Sequence, residues 1–167
     1  MKRRRLEFRQ AFQNPWTLIA LGFGAGLAPW VPGTWGTLVA IPLYLLLVDT
    51  SPGVYSAVVI VLLGLGVVAC GRCGRTLGEP DHPAIVWDEI VGFLLTMWGI
   101  AASWQNVLLG FVLFRFFDIV KPWPIRAIDR RTAGGWGVML DDVAAGLLSS
   151  VILHILIAPS SMTSHLR

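Results

Sequence analysis

Charge is what this sequence has least of. Only 14% of its 167 residues are charged, against about 25% in soluble domains. Residues 10–48, 50–71 and 90–114 contain no charged residue at all. A length that would suit one soluble domain is therefore combined with a composition that excludes it. A membrane span needs about 20 apolar residues, so these runs leave room for several spans and little else. Cysteine is scarce too. Cys70 and Cys73 form a lone Cys-x-x-Cys. Zinc would need two more ligands nearby, and a redox motif of the thioredoxin kind needs a soluble βαβ setting. Neither is present, so the pair reads as small residues at a helix end. No internal repeat or low-complexity tract occurs. No strand precedes Gly22-Phe23-Gly24-Ala25-Gly26, which excludes a dinucleotide fingerprint.

Hydrophobic residues make up 55% of the chain, and the mean hydropathy is +0.68. The net charge of +3 conceals an uneven pattern. Lys2, Arg3, Arg4, Arg5 and Arg9 form a basic head. Pro15 and a glycine-rich stretch interrupt the apolar region after it, and no small-x-small cleavage site follows. The head thus reads as a cytoplasmic, lipid-contacting N-terminus rather than the start of a signal peptide. The other basic loops are Arg72 with Arg75, and residues 121–131.

The positive-inside rule orients the spans. Read as one helix, residues 90–114 would be about 37 Å long at 1.5 Å per residue, with the two later basic loops on opposite sides. A hairpin turning at Ser103-Trp104-Gln105-Asn106 keeps both inside. Pro29-Trp30-Val31-Pro32-Gly33 breaks the run before Asp49, and only its second half is expected to span. Residues 16–28 then lie at the interface or re-enter. The expected fold is an all-α integral membrane protein. It is a compact bundle of five short transmembrane helices at 34–48, 54–71, 89–103, 106–120 and 139–158, with an N-terminal interfacial or re-entrant segment. The N-terminus is inside and the C-terminus outside.

This arrangement brings the acidic residues to one depth. Asp88 and Glu89 fall at the cytoplasmic start of the third span, and Asp118 near the cytoplasmic end of the fourth. Asp141 and Asp142 fall in the first turn of the fifth. Carboxylates at helix N-termini favour the helix dipole by about 0.3–1 kcal/mol each, which could account for four of the five. Asp118 lies near a helix C-terminus, where the dipole opposes it, although Arg115 three residues earlier could pair with it. Acidic residues within spans are functional by default. Five close carboxylates repel unless a cation intervenes, and oxygen-only ligands suit Mg²⁺. One or two ions would balance most of the charge, and a two-ion site suits in-line attack at phosphorus. A second feature fits a phosphate. Pro32-Gly33-Thr34-Trp35-Gly36-Thr37 sits at the start of a span, where glycines permit close approach and Thr34 or Thr37 could cap the helix.

These motifs together resemble the phosphatidylglycerophosphatase A family, bacterial inner-membrane enzymes that dephosphorylate phosphatidylglycerophosphate to phosphatidylglycerol. The resemblance runs from about residue 14 to 157. It rests on Asn14-Pro15-Trp16, Gly22-Phe23-Gly24 with Gly26, Val31-Pro32-Gly33-Thr34 with Gly36, and Ile85-Val86-Trp87-Asp88-Glu89. Phe114-Arg115 with Asp118, Lys121-Pro122-Trp123-Pro124-Ile125-Arg126, Asp129-Arg130, and Asp141-Asp142 with Ala145-Gly146 complete it. The resemblance implies a Mg²⁺-dependent lipid phosphate monoesterase at the cytoplasmic face of the inner membrane, with phosphatidylglycerophosphate as substrate, anionic lipids as neighbours and no nucleic-acid partner. Residues 1–15 would be a cytoplasmic basic N-terminus, 16–158 a single membrane-embedded catalytic domain, and 159–167 a short tail.

Within that frame, Asp88, Glu89, Asp118, Asp141 and Asp142 are the candidate metal ligands, and one of them can instead act as general base. Lys121 and Arg115 would neutralise phosphate charge, with Gly33, Thr34, Gly36, Thr37 and Arg126 as further phosphate contacts. Arg126, Arg130 and Arg131 equally suit anionic head groups. Asp81 and His82 form a second tier in the loop before Asp88. His154, about 18 Å along its helix from Asp142, is too far away to join them. The cysteine-phosphatase spacing, the Asp-x-Asp of aspartyl-phosphate enzymes and the histidine-based lipid phosphatase motifs are absent, which favours water activated by a metal. A divalent-cation transporter would need polar residues running through the spans, and a phosphotransferase using a nucleotide-linked donor would need an acidic pattern that is missing. A phosphatase for another lipid phosphate is the remaining alternative.

Overall fold

Helix boundaries follow local capping chemistry. The computed structural model describes residues 14–163, with side chains described for all of these except 129–131 and 159–163. The basic head, the side chains of Arg130 and Arg131, and residues 164–167 of the tail lie outside the described residues. Asn14 accepts a hydrogen bond from the Trp16 N–H (3.0 Å) and starts α1 (Pro15–Ala20). A 3₁₀ helix, Gly22–Leu27, follows. Pro32 opens α2 (Pro32–Leu47). Ser51 caps α3 (Pro52–Leu77), with Pro52 in its first turn and left-handed Gly78 at its end. Then come α4 (Trp87–Thr96) and α5 (Trp104–Val120), the latter capped by Ser103. The series ends with α6 (Ile125–Arg131) and α7 (Gly134–Thr163). No strand occurs among the described residues. Two helical segments are long and apolar enough to cross a membrane, by length and composition alone: Pro52–Leu77 and Gly134–Ala158.

α7 is the central helix and packs on α3, α4, α5 and α6, while α2 covers α4 and α1 leans on α3. Contacts fix the directions. The start of α2 meets the start of α4 at Gly33 and Glu89. The end of α3 meets the start of α7 at Gly71 and Gly135. At the other end, Tyr44 OH on α2 donates to Ile100 O (2.8 Å), and Tyr55 OH on α3 donates to Leu94 O (2.7 Å). Thus α2, α3, α4, α5 and α7 alternate in direction between two ends of the molecule. Eight of the ten residues of α4 are buried.

Four expectations need correction. The third helix was expected to reach residue 103, but α4 stops at Thr96. Gly99 is left-handed (φ 72°), and the two tyrosines capture carbonyls of Leu94 and Ile100 that a continuing helix would have used. The turn therefore spans 97–103, not 103–106. Arg72 and Arg75 lie in the last turns of α3, not in a loop, and Arg72 stacks on the Trp16 ring at 4.3 Å. Asp141 and Asp142 are not in a first turn. The helix begins at Gly134, about two turns earlier, because Gly135 can press directly on the Val67 carbonyl. Neither Thr34 nor Thr37 caps α2: its cap is Val31, and the Thr37 hydroxyl donates back to Gly33 O (2.9 Å). The cysteines lie in the last turns of α3, as expected, and are buried and free.

Candidate metal centre

The site forms where α4 and α7 cross in parallel. A Cβ added to Gly146 would lie 2.4 Å from Gly92 O, and one added to Gly92 would lie 2.8 Å from Asp142 O. Only glycines permit so close an approach. Asp88 precedes Gly92 by one helical turn, and Asp142 precedes Gly146 by the same turn. The crossing therefore turns both aspartates toward each other. The entry into α4 is fixed by the Val86 N–H on Ala20 O (2.9 Å) and by Trp87 Nε1 on Leu62 O (3.0 Å).

Asp88, Glu89 and Asp142 each offer a carboxylate oxygen, and these three oxygens lie within 4.8 Å of one another. Asp118 on α5 comes within hydrogen-bonding reach of Asp142. Arg115 Nη1 lies 2.5 Å from Asp118 Oδ2 and 3.5 Å from Glu89 Oε1. Lys121 forms an ion pair with Asp141. The carboxylates thus make a chain, Asp88–Glu89–Arg115–Asp118–Asp142, whose two ends approach each other.

Three buried oxygens in this chain, Asp88 Oδ1, Glu89 Oε2 and Asp142 Oδ2, have no hydrogen-bond partner. Buried polar atoms are rarely left so, and neighbouring carboxylates raise the cost by mutual repulsion. A hard divalent cation removes both penalties, and an all-oxygen donor set is what it takes. The residues present fit such an ion.

The other sequence-derived candidates fall in different places. Gly33 adjoins the cluster. Gly36 is packed against Val86, Thr37 is buried behind Gly33, and Thr34 sits half-buried in the first turn of α2. Arg126 is exposed at the start of α6, and Asp81 is exposed in its loop. His82 accepts the Ala84 N–H through Nδ1 (3.1 Å) and is not among the clustered ligands. His154 bonds Ser150 O and packs on the turn at Gly99, away from the cluster. Gly92 was missed, and so was the purpose of Gly146. A signal was available: Asp88 and Asp142 each precede a glycine by four residues.

Fold and site together define an all-helical protein that carries a polycarboxylate centre suited to a divalent cation. The sequence profile of phosphatidylglycerophosphatase A matches residues 18–157. A phosphatidylglycerophosphatase A of Escherichia coli K12 is 46% identical over 147 residues, which is 87% of this chain and 86% of that protein. One from Haemophilus influenzae is 41% identical, covering 84% and 87%. A Bacteroides thetaiotaomicron protein provisionally named a phosphatidylinositol-3-phosphatase is 38% identical, covering 83% and 91%. No solved structure matches. The chain belongs to the phosphatidylglycerophosphatase A family.

Proposed function

We propose that this chain hydrolyses the phosphate monoester of phosphatidylglycerophosphate, releasing phosphatidylglycerol and phosphate. The observation that carries the reading is the group Asp88, Glu89 and Asp142, with three buried oxygens unpartnered, in a chain whose relatives bear that enzyme's name. Asp88 and Asp142 would hold the ion with Glu89. Asp118 completes the set through its contact with Asp142. Mg²⁺ is the natural occupant of such a donor set beside a phosphate. When bound, it supplies Lewis acidity and a water of lowered pKa. A carboxylate oxygen of the cluster would take the proton from the attacking water and pass it to the glycerol oxygen as the P–O bond breaks, so that phosphate and the neutral glycerol hydroxyl leave.

The setting we propose is the cytoplasmic side of the inner membrane. The charge-free runs, the alternating helix directions and the two long apolar helices support it. So do exposed tryptophans at both ends: Trp30, Trp123 and Trp136 near the carboxylates, Trp98 and Trp104 at the far end. The five-span topology, with residues 16–28 at the interface, follows from the same features. At about 15 Å, α4 is too short to span alone, but its burial among other helices spares it lipid contact. The test is phosphate release from phosphatidylglycerophosphate by purified protein, with and without Mg²⁺. No release under either condition would end the reading. The Bacteroides relative's name favours trying phosphatidylinositol 3-phosphate in parallel.

A further inference from the structure

Glu89 occupies a slot that exists because a side chain is missing. Gly33 is the second residue of α2 and is buried. A Cβ built on it would stand 2.0 Å from Glu89 Oε1 and 2.9 Å from Arg115 Nη1. No real Cβ contact is that short, so any other residue would displace the carboxylate. The chain reaches this point through a sharp hook. Val31 is left-handed (φ 47°), which is rare for a β-branched residue, and its side chain caps nothing. Pro32 then opens the helix without an N–H. The hook presents the bare face of Gly33 to α4.

Arg115 lies on the other side of the same carboxylate. Its side chain is only 12% exposed, and its guanidinium is shared between Asp118 and Glu89. Both ion-pair contacts are made by the one nitrogen Nη1. A helix N-terminus would favour a phosphate, but here the place beside Gly33 is filled by an anion of the protein itself. We infer that Gly33 and Arg115 are positioning residues and do not touch the substrate. Gly33 admits the Glu89 carboxylate, and Arg115 ties it to Asp118, so that α4 and α5 present their carboxylates to the ion as one unit. The inference rests on the proposed reading of the centre as a metal-dependent phosphatase site.

The test measures Mn²⁺ affinity by electron paramagnetic resonance on the purified protein, alongside kcat and KM for phosphatidylglycerophosphate in mixed micelles. The wild type is compared with Gly33→Ala, Arg115→Lys and Gly64→Ala. Gly64 has nothing within 4 Å of an added Cβ and serves as the control. Gly33→Ala and Arg115→Lys are each expected to weaken Mn²⁺ binding at least ten-fold and to lower kcat, with KM within two-fold of the wild type. Gly64→Ala is expected to match the wild type. If Gly33→Ala does not accumulate as folded protein, Arg115→Lys, which keeps the charge, decides alone. Intact Mn²⁺ affinity with a raised KM would show that these residues contact the substrate and overturn the inference. Unchanged Mn²⁺ affinity and unchanged kcat would overturn it too. A wild type that binds no Mn²⁺ would instead bring down the metal reading, and the inference with it.

Discussion

The two ends of the molecule are built from the same helices by opposite means. At the carboxylate end, like charges are pressed together around atoms with no protein partner, and two bare backbones touch at Gly92 and Gly146. At the far end, no buried side-chain polar atom among the described residues is left without a partner. Tyr44 satisfies the Ile100 carbonyl in the 97–103 turn and Tyr55 the Leu94 carbonyl at the end of α4, Trp98 Nε1 donates to Ser56 Oγ (3.0 Å), and Asn106 bonds Ala101 O (3.0 Å). A cavity of about 480 Å³ opens there, with Asp49 the one ionisable carboxylate in its lining. The contrast separates roles. The far end holds the helices in register, and the near end carries strain that an ion would relieve.

That division can be broken by substitution. The largest effect is expected from Asp88→Asn and Asp142→Asn. Each should lower phosphate release by roughly a thousand-fold. Their thermal midpoint, measured without metal, should stay the same or rise, because a repulsive charge is gone. A large drop in midpoint would make these aspartates structural. Next, chelation of divalent ions should cut turnover by about a hundred-fold, and Mg²⁺ should restore it. Activity that survives exhaustive chelation would refute the metal requirement. Gly146→Val should come third. Its Cβ would meet Gly92 O at 2.4 Å, and overpacking of this kind costs about 1–3 kcal/mol. Turnover per folded molecule should fall as well, since the aspartates are forced apart.

Smaller effects are expected at the far end, and they should be of stability alone. Tyr55→Phe strands the buried Leu94 carbonyl and should cost about 1–3 kcal/mol, with turnover per folded molecule unchanged. Lost turnover would mean that the two ends are coupled. Asp49→Asn should shift neither stability, beyond about 0.5 kcal/mol, nor activity.

Much of this contrast could be read from the sequence because it is written locally. Ser51, Pro52, Gly78 and Ser103 punctuate helices by chemistry confined to a few residues. The grouping of Asp88, Glu89 and Asp142 followed from placing charged segments on one side. What escaped prediction depends on partners distant in the chain. The length of α4 is set by tyrosines on two other helices. The early start of α7 is set by its contact with α3, where propensity disfavours the run Gly134-Gly135-Trp136-Gly137. The Arg115–Asp118 pair was legible from its three-residue spacing, whereas the contacts of Arg115 with Glu89 and of Lys121 with Asp141 are tertiary facts. Gly33 read as a place for a phosphate to approach and Gly92 went unread, but both, with Gly146, let another part of the chain itself come close.

The contact at Gly92 and Gly146 has one more consequence. Interdigitated side chains can change rotamer and let two helices drift, whereas backbone against backbone acts as a mechanical stop. The spacing of the two backbones that carry Asp88 and Asp142 is therefore set by direct main-chain contact, which no side-chain rotamer can adjust. Where helices meet through side chains, those side chains can repack, whereas the gauge of the centre has no such slack.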